Sequence, residues 1–564
     1  MNKFRIYRII SILLTALIVF SLSACNSNEK DSTVAGTQKP DDSNSGDEID
    51  TASDSEGTGE DENAPLGKYK EPIEITMFGQ VDSTMNFDSG QTFEENIWSE
   101  LYKDRLNIKI SYLWVVNQDQ YQQKMTVAIA SKELADIISF GPSDSNFKLL
   151  AENNQLQDLT QIYENYASDF TKSIINEAGP VAFEAGTFDG KLLGIPNTNA
   201  SIEQASIVWY RQDWLDKLGI EAPRTMDELY ELGRTFMQSD LGVEYAFGMS
   251  ENLGDIAGFF ASHGAYLKRW IETENGTIEY SSIQPKMKVA LQALANLYKE
   301  GMLDKEFAVK DNSTMCEGVN AGKAGIFWGG HASPLWPLIS SFENDPTIDW
   351  TPHQVPSATG EPTVQIVNIP VSSYYIVTNG CRYPEAVMKL MNLWTEIAFS
   401  ENTEPMYFTT SDKYREPFKH ARIQTWPTNK NIDIYKRIVE ATEKNDMSII
   451  ENHQETSDMY AFIKKFEETG AEGWDYARVF GVGGSEGVMS DYVDKDQIIY
   501  DKFYGPPTPT MSTKLSTLQK QEDELFVKII MGEAPIDDFD KWVEQWKNLG
   551  GDDITKEVNT QMGK

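Results

Sequence analysis

Histidine and cysteine are scarce in this chain: 5 His and 3 Cys among 564 residues. The histidines, His263, His331, His353, His420 and His453, are scattered, and neither His-Glu-x-x-His nor Cys-x-x-Cys occurs. That excludes the common zinc and redox motifs. No Gly-rich loop ends in Lys-Ser or Lys-Thr, which excludes a phosphate-cradling loop. Basic charge is short as well. Lys and Arg number 49 against 87 Asp and Glu, for a net charge of −38. Such a surface repels phosphate backbones, so no nucleic-acid partner is expected. No catalytic residue, cofactor or metal ion is expected either. Gly483-Gly484-Ser485-Glu486-Gly487 fits Gly-x-Ser-x-Gly, but the last histidine, His453, precedes it. The Ser, acid, His order of a nucleophile elbow therefore fails, and the segment reads as a turn. With so many acids, carboxylate spacing says nothing about a glycosidase.

Long apolar runs are also lacking, with one exception at the N-terminus. Lys3, Arg5 and Arg8 precede an apolar stretch, Ile9–Phe20, which ends in Leu22-Ser23-Ala24-Cys25. The run is shorter than the ~20 residues of a membrane span and reads as a secretory signal. Leu-Ser-Ala-Cys resembles a bacterial lipobox. That resemblance implies a signal peptide at 1–24, a lipidated Cys25 as the mature N-terminus, and a membrane anchor at the outer face of the cell. Residues 25–71 then read as an acidic tether, too poor in large apolar residues to fold. From Asn26 to Ala64 it would span roughly 35–40 Å as a coil. Cys316 and Cys381 could pair, but two buried thiols are the favoured reading.

What is present in quantity is alternation of strand and helix. Glu74–Gly79, Asn107–Tyr112 and Asp136–Gly141 read as strands. Between them lie helical spacings, Phe93, Ile97, Leu101 and Leu106, then Tyr121, Met125, Ala128 and Ile129. This β-α-β-α-β order predicts an α/β fold with an open parallel sheet. Ligands in such sheets sit beyond the carboxyl ends of the strands. Gln80 and Asp82 after the first strand, and Ser143 and Asp144 after the third, are therefore candidates. A second block starts with strand Ile207–Tyr210 and a helix closed by Gly219. Thr225 and Glu228 then predict a capping box. A helix over Gln284–Glu300, a strand at Gly325–Gly330, a strand at Val371–Thr378, a helix at Tyr383–Phe399 and a helical tail from Leu515 follow.

Three stretches then carry a resemblance: Asp189–Pro196, Tyr210–Gly219 and Ala321–Ile326. They resemble the family-1 extracellular solute-binding proteins of bacterial ABC importers. The tail, Phe503-Tyr504-Gly505-Pro506-Pro507-Thr508-Pro509 with Lys528–Gly532 and Leu549–Asp552, is similar to the large LipO-type lipoprotein branch of Gram-positive bacteria. The resemblance runs over about residues 72–564. It implies a two-lobe periplasmic-binding-protein-like (type II) fold with a hinge and an interlobe ligand cleft. Lobe one would comprise 72–196 and 370–400, and lobe two 197–369 and 401–564. Hinge strands would lie near Pro196–Ser206 and Ile366–Ser372.

The chain holds 13 Trp and 24 Tyr. Flat rings stack on sugar rings, and polar side chains bind the hydroxyls. Trp114, Trp270 and Trp336 are noted. The candidates at the ligand are Trp209, Tyr210, Arg211, Trp328 and His331 around two strand ends, and Trp474 and Glu486 in the tail. For Trp328 and Trp474 the expectation comes from the resemblance. The function expected is that of a monomeric lipoprotein that captures a small solute, an oligosaccharide, and delivers it to ABC permease subunits. Two other readings stand beside it: a lipid-anchored polysaccharide-degrading enzyme, and a sensory or adhesive lipoprotein that binds a sugar or peptide.

Overall fold

The computed structural model of the chain describes residues 61–400, 403–408 and 416–564. The signal peptide, Cys25 and the tether through Glu60 lie outside the described residues. Among the described residues no helix is long and apolar enough to cross a membrane.

Strand β1 (Ile73–Val81) buries Ile73, Ile75 and Met77 and exposes Glu74, the alternation its sequence carries. Helix α1 (Ile97–Leu106) starts at Asn96, whose side chain accepts the Trp98 and Ser99 amides. It buries Ile97, Trp98, Leu101, Tyr102 and Leu106 on one face. Strand β2 (Ile108–Asn117) lies parallel to β1. Helix α2 (Gln118–Ser131) leads to β3 (Ile137–Phe140), then α3 (Ser145–Glu152) and, further on, β4 (Gly194–Thr198). Asp136 stitches β3 to β1, because its carboxylate accepts the amide and the hydroxyl of Thr76 at 2.8 and 2.7 Å.

The second block holds β5 (Ile207–Arg211), α4 (Gln212–Leu218), α5 (Met226–Gln238), α6 (Pro285–Lys299), β6 (Ile326–Gly329) and β7 (Trp350–His353). Gly219 closes α4 at φ +67°, a left-handed conformation that suits glycine. The expected capping box forms, with Thr225 accepting the Glu228 amide and Glu228 accepting the Thr225 amide. Strands β6 and β7 flank β5, both antiparallel to it. After β8 (Gln365–Val367), the chain returns as β9 (Val371–Val377) and α7 (Ala386–Phe399). It continues with α8 (Lys430–Lys444), α9 (Ser485–Asp494), β10 (Ile498–Tyr500) and α10 (Ser516–Met531).

Strand β9 pairs antiparallel between β3 and β4. The single parallel sheet expected is therefore two sheets: β1 and β2 pair in parallel, while β3, β9 and β4 form a separate antiparallel sheet. Local alternation fixed β1 and β2, but β9 enters from the far lobe and runs against β3. Each lobe has its own core. Ile75, Trp98, Ile137, Ile195, Val377 and Trp394 mark the first. Tyr210, Leu229, Leu291, Ile326, Phe526 and Trp546 mark the second.

Three crossings join the lobes, at residues 198–207, 367–371 and 426–430. They are laced together. The Asn199 amide donates to the Pro370 carbonyl at 3.1 Å. The hydroxyls of Thr198 and Thr425 lie 2.7 Å apart. Phe418, Ala421, Ile423 and Trp426 pack on the first core. We therefore place the last crossing after Trp426, beyond the expected boundary at 400.

The start of the folded body also comes earlier than 71. Tyr69 is buried in the first core, and Lys389 of α7 is fully buried. The Lys389 ammonium donates to the carbonyls of Glu62, Ala64 and Gly67 at 2.9, 2.7 and 2.8 Å. Those bonds compensate a charge that burial disfavours, and burial holds its pKa below the usual lysine range. Cys316 and Cys381 are free and buried, and burial pushes their thiols up to about 12 and about 11.

Candidate functional site

The carboxyl ends of β1 and β3 face the same edge of the first lobe, where β4 ends and β9 begins. Gln80 sits at the end of β1, and Asp82 follows it. The Asp82 carboxylate accepts the Thr84 amide at 2.6 Å, which closes a turn and lowers its pKa. Ser143 is exposed, and Asp144 caps α3 by accepting the Asn146 amide at 2.9 Å. Beside them, at the first crossing, the side-chain oxygens of Asn197, Asn199 and Ser201 are buried without a partner among the described residues. Such groups favour a ligand rich in hydroxyls.

On the second lobe, Ile207 pairs with Gly329, so β6 ends beside the crossing where β5 begins. The loop Gly330–Trp336 therefore leaves at the connector. Trp336 in it is 60% exposed.

A cavity of about 670 Å³ opens between the lobes. The first lobe supplies Asp144, Phe147 and Phe188, and the second Glu272, Lys502 and Tyr504. The Tyr504 hydroxyl donates to the Glu184 carboxylate across it. Burial, then that carboxylate, raises the Tyr504 pKa above the usual phenol range. The volume suits a small ligand of several rings.

The structure brings together only part of the residues singled out in the sequence. Asp144 lines the cavity, with Ser143 next to it, whereas Gln80 and Asp82 stand at the same lobe edge but outside the lining. The buried aromatics go elsewhere, which corrects the expectation for them. Trp209 and Tyr210 are wholly buried in β5, where every residue is inside, so neither presents a free face. Tyr210 stacks on His353 with ring centres 4.9 Å apart. Trp328 is buried against Phe259, and Trp474 is stacked on Phe342 at 4.8 Å. Arg211 is buried too. It grips Asp213 through two bonds of 2.8 and 2.7 Å and lies 4.1 Å over the Trp214 ring. The four aromatic side chains serve packing, because burying such large apolar area is their main free-energy gain, whereas the buried Arg211 charge is compensated by Asp213.

His331 and Glu486 do meet. Nδ1 of His331 lies 2.5 Å from Oε1 of Glu486, whose side chain is fully buried. The carboxylate as acceptor places a ring proton on Nδ1. On the other side, Nε2 lies 3.4 Å from Oε2 of Glu203. Burial disfavours the charged imidazolium, but the Glu486 hydrogen bond and the two carboxylate charges outweigh it and raise the His331 pKa. Burial raises the pKa of Glu203. Glu203, Glu184, Tyr504 and Trp336 were not among the sequence candidates. Position on the Pro196–Ser206 hinge segment was the available signal for Glu203, and the Phe503–Pro509 motif for Tyr504. Trp336 was noted but not chosen, since exposure is invisible in a sequence.

Residues 86–397 match the family described as bacterial extracellular solute-binding protein. The chain is 23% identical over 474 residues to lipoprotein LipO of Bacillus subtilis, covering 80% of this chain and 86% of that one. It is 25% identical over 230 residues to the polygalacturonan/rhamnogalacturonan-binding protein YtcQ of the same organism, covering 40% of this chain and 44% of that one. Among solved structures it is similar to an HMO-binding, ABC-transporter-associated solute-binding protein of Bifidobacterium longum infantis. There the TM-score is 0.57 at 14% identity, over 88% of this chain and 99% of that one. Alginate-binding protein AlgQ2 gives a TM-score of 0.54 at 15% identity, over 88% and 99%. These two likenesses show the fold.

Proposed function

Because the chain belongs to the family of bacterial extracellular solute-binding proteins, we propose that it is the capturing subunit of an ABC importer. It is anchored through a lipidated Cys25 at the outer face of the membrane, takes an oligosaccharide between its lobes, and hands it to permease subunits. The protein performs no chemistry on the ligand. ATP is hydrolysed by a separate protein.

The observation that carries this reading is the cavity of about 670 Å³ walled by both lobes. A ligand that touches both walls binds the closed state better than the open one, and so selects it. The side chains around the cavity include three carboxylates, Asp144, Glu184 and Glu272, and three lysines, Lys148, Lys502 and Lys564. Their charges balance, which favours a neutral, hydroxyl-rich solute over an acidic one. Phe188 and Tyr504 offer ring faces for stacking, and the exposed Trp336 offers another outside the cavity. The name of YtcQ favours a saccharide ligand, and the balanced charge of the cavity favours a neutral one over the uronates in that name.

Calorimetric titration with neutral oligosaccharides, uronate oligomers and peptides tests the proposal. Saturable binding of a neutral oligosaccharide, unaltered on recovery, is the expected result. Binding of peptides alone would overturn the sugar assignment. A shortened sugar in the recovered sample would overturn the receptor assignment.

A further inference from the structure

The cluster of Glu203, His331 and Glu486 has no part in the cavity lining, yet it is built. One ligand-type atom from each residue lies within 4.8 Å of the others. The three come from different elements: the short helical turn Ser201–Gln204, the loop after β6 and the start of α9.

Its geometry is directional. Glu486 holds Nδ1 of the ring at 2.5 Å, which leaves Nε2 as the ring atom facing Glu203. A carboxylate behind an imidazole fixes the tautomer and strengthens the ring as a metal ligand. The 3.4 Å between Nε2 and Oε2 of Glu203 is long for a hydrogen bond. It matches the edge of a tetrahedron, about 3.4 Å when zinc sits about 2.1 Å from a nitrogen and an oxygen. Both flanks are braced. Oε1 of Glu203 accepts Asn431 at 2.6 Å, and the Ser485 hydroxyl donates to the His331 carbonyl at 2.6 Å. Lys430, the nearest cation, is engaged by Glu455 at 2.5 Å.

Charge supplies the second observation. Oε2 of Glu486 is fully buried and has no hydrogen-bond partner among the described residues. The carboxylate acts through the ring it holds, and its buried charge makes Nε2 a stronger donor to a cation. The side chains of His331 and Glu203 keep 15% and 27% of their exposure, enough for an ion to enter with water in its remaining positions.

We propose that these residues form a divalent metal site of the zinc class, with His331 Nε2 and Glu203 Oε2 as protein ligands and Glu486 as the positioning carboxylate. The ion ties the first crossing to the second lobe. Binding displaces any proton on Nε2. The site is separate from solute capture, and its test uses no sugar.

The full chain, carrying no histidine tag, is stripped with EDTA and dialysed against limiting Zn²⁺. One retained equivalent is expected, together with a higher Tm. His331→Gln and Glu203→Gln lose that equivalent, and Glu486→Gln weakens binding about 10–100-fold. Retention of the equivalent by His331→Gln, or no stoichiometric zinc in the parent protein, overturns the proposal. Should a variant fail to fold, Co²⁺ added to the parent chain gives an independent reading. A ligand-field spectrum of low-coordinate nitrogen and oxygen ligation supports the site, and the spectrum of aqueous Co²⁺ overturns it.

Discussion

The Tyr504 hydroxyl donates to the carboxylate of Glu184, 320 residues earlier in the chain, and so spans the two lobes. Each residue lies on its own wall of the interlobe cavity. The bond exists only when the walls are close, which makes it a contribution to closure.

Tyr504→Phe keeps the ring and removes the donor. A hydrogen bond to a charged group contributes about 1.5–3 kcal/mol when protected from water, and less at this half-exposed position. The expected outcome is a larger radius of gyration by small-angle X-ray scattering without ligand. Affinity for the solute should fall several-fold, with Tm nearly unchanged.

Trp328→Ala and Trp336→Ala should separate packing from ligand contact. Trp328 is buried in the second core, and its truncation should cost about 3–5 kcal/mol, read by denaturant unfolding. Trp336 is largely exposed, so its removal should leave stability within about 0.5 kcal/mol. A loss of solute affinity in Trp336→Ala alone would place that ring at the ligand.

Glu522 of α10 is fully buried near Tyr280 and Ser282, and burial raises its pKa from 4.5 to about 7. Its folded pKa is above its unfolded one. Between those values the unfolded chain gives up the proton first, so this residue's contribution to stability falls as pH rises towards 7. Above that the loss is complete, at about 3 kcal/mol. Glu522→Gln should therefore raise Tm at pH 8 and change it little at pH 4.5, followed by thermal unfolding at both.

Lys389→Met removes the donor to three carbonyls inside the first lobe. Unsatisfied buried acceptors should cost about 2–4 kcal/mol in all. The segment before Tyr69 should then be cut by protease earlier than in the parent chain.

Much of the fold was legible because its signals are local. Alternation around Ile75, the spacing of Leu101 and Leu106, and the Thr225 and Glu228 pair each fix an element within a few residues. The direction of β9 was not legible, since it depends on where the chain crosses from the other lobe. Candidate site residues were harder. Rules for strand ends found Asp144, but β5 is buried on both faces, so its alternation could not say which ring meets solvent. His331 and Glu486 were each named singly. Their meeting across 155 residues, and that of both with Glu203, is a product of tertiary folding that no spacing rule encodes.

The Lys389 clasp has a mechanical consequence. It fastens residues 62–67 to the first lobe alone, so whatever precedes them enters the body there. A pull arriving through that segment loads one lobe and passes no torque through the three crossings. The second lobe can swing as if the molecule were untethered. A force applied through residues 62–67 would therefore leave the free energy of closure unchanged.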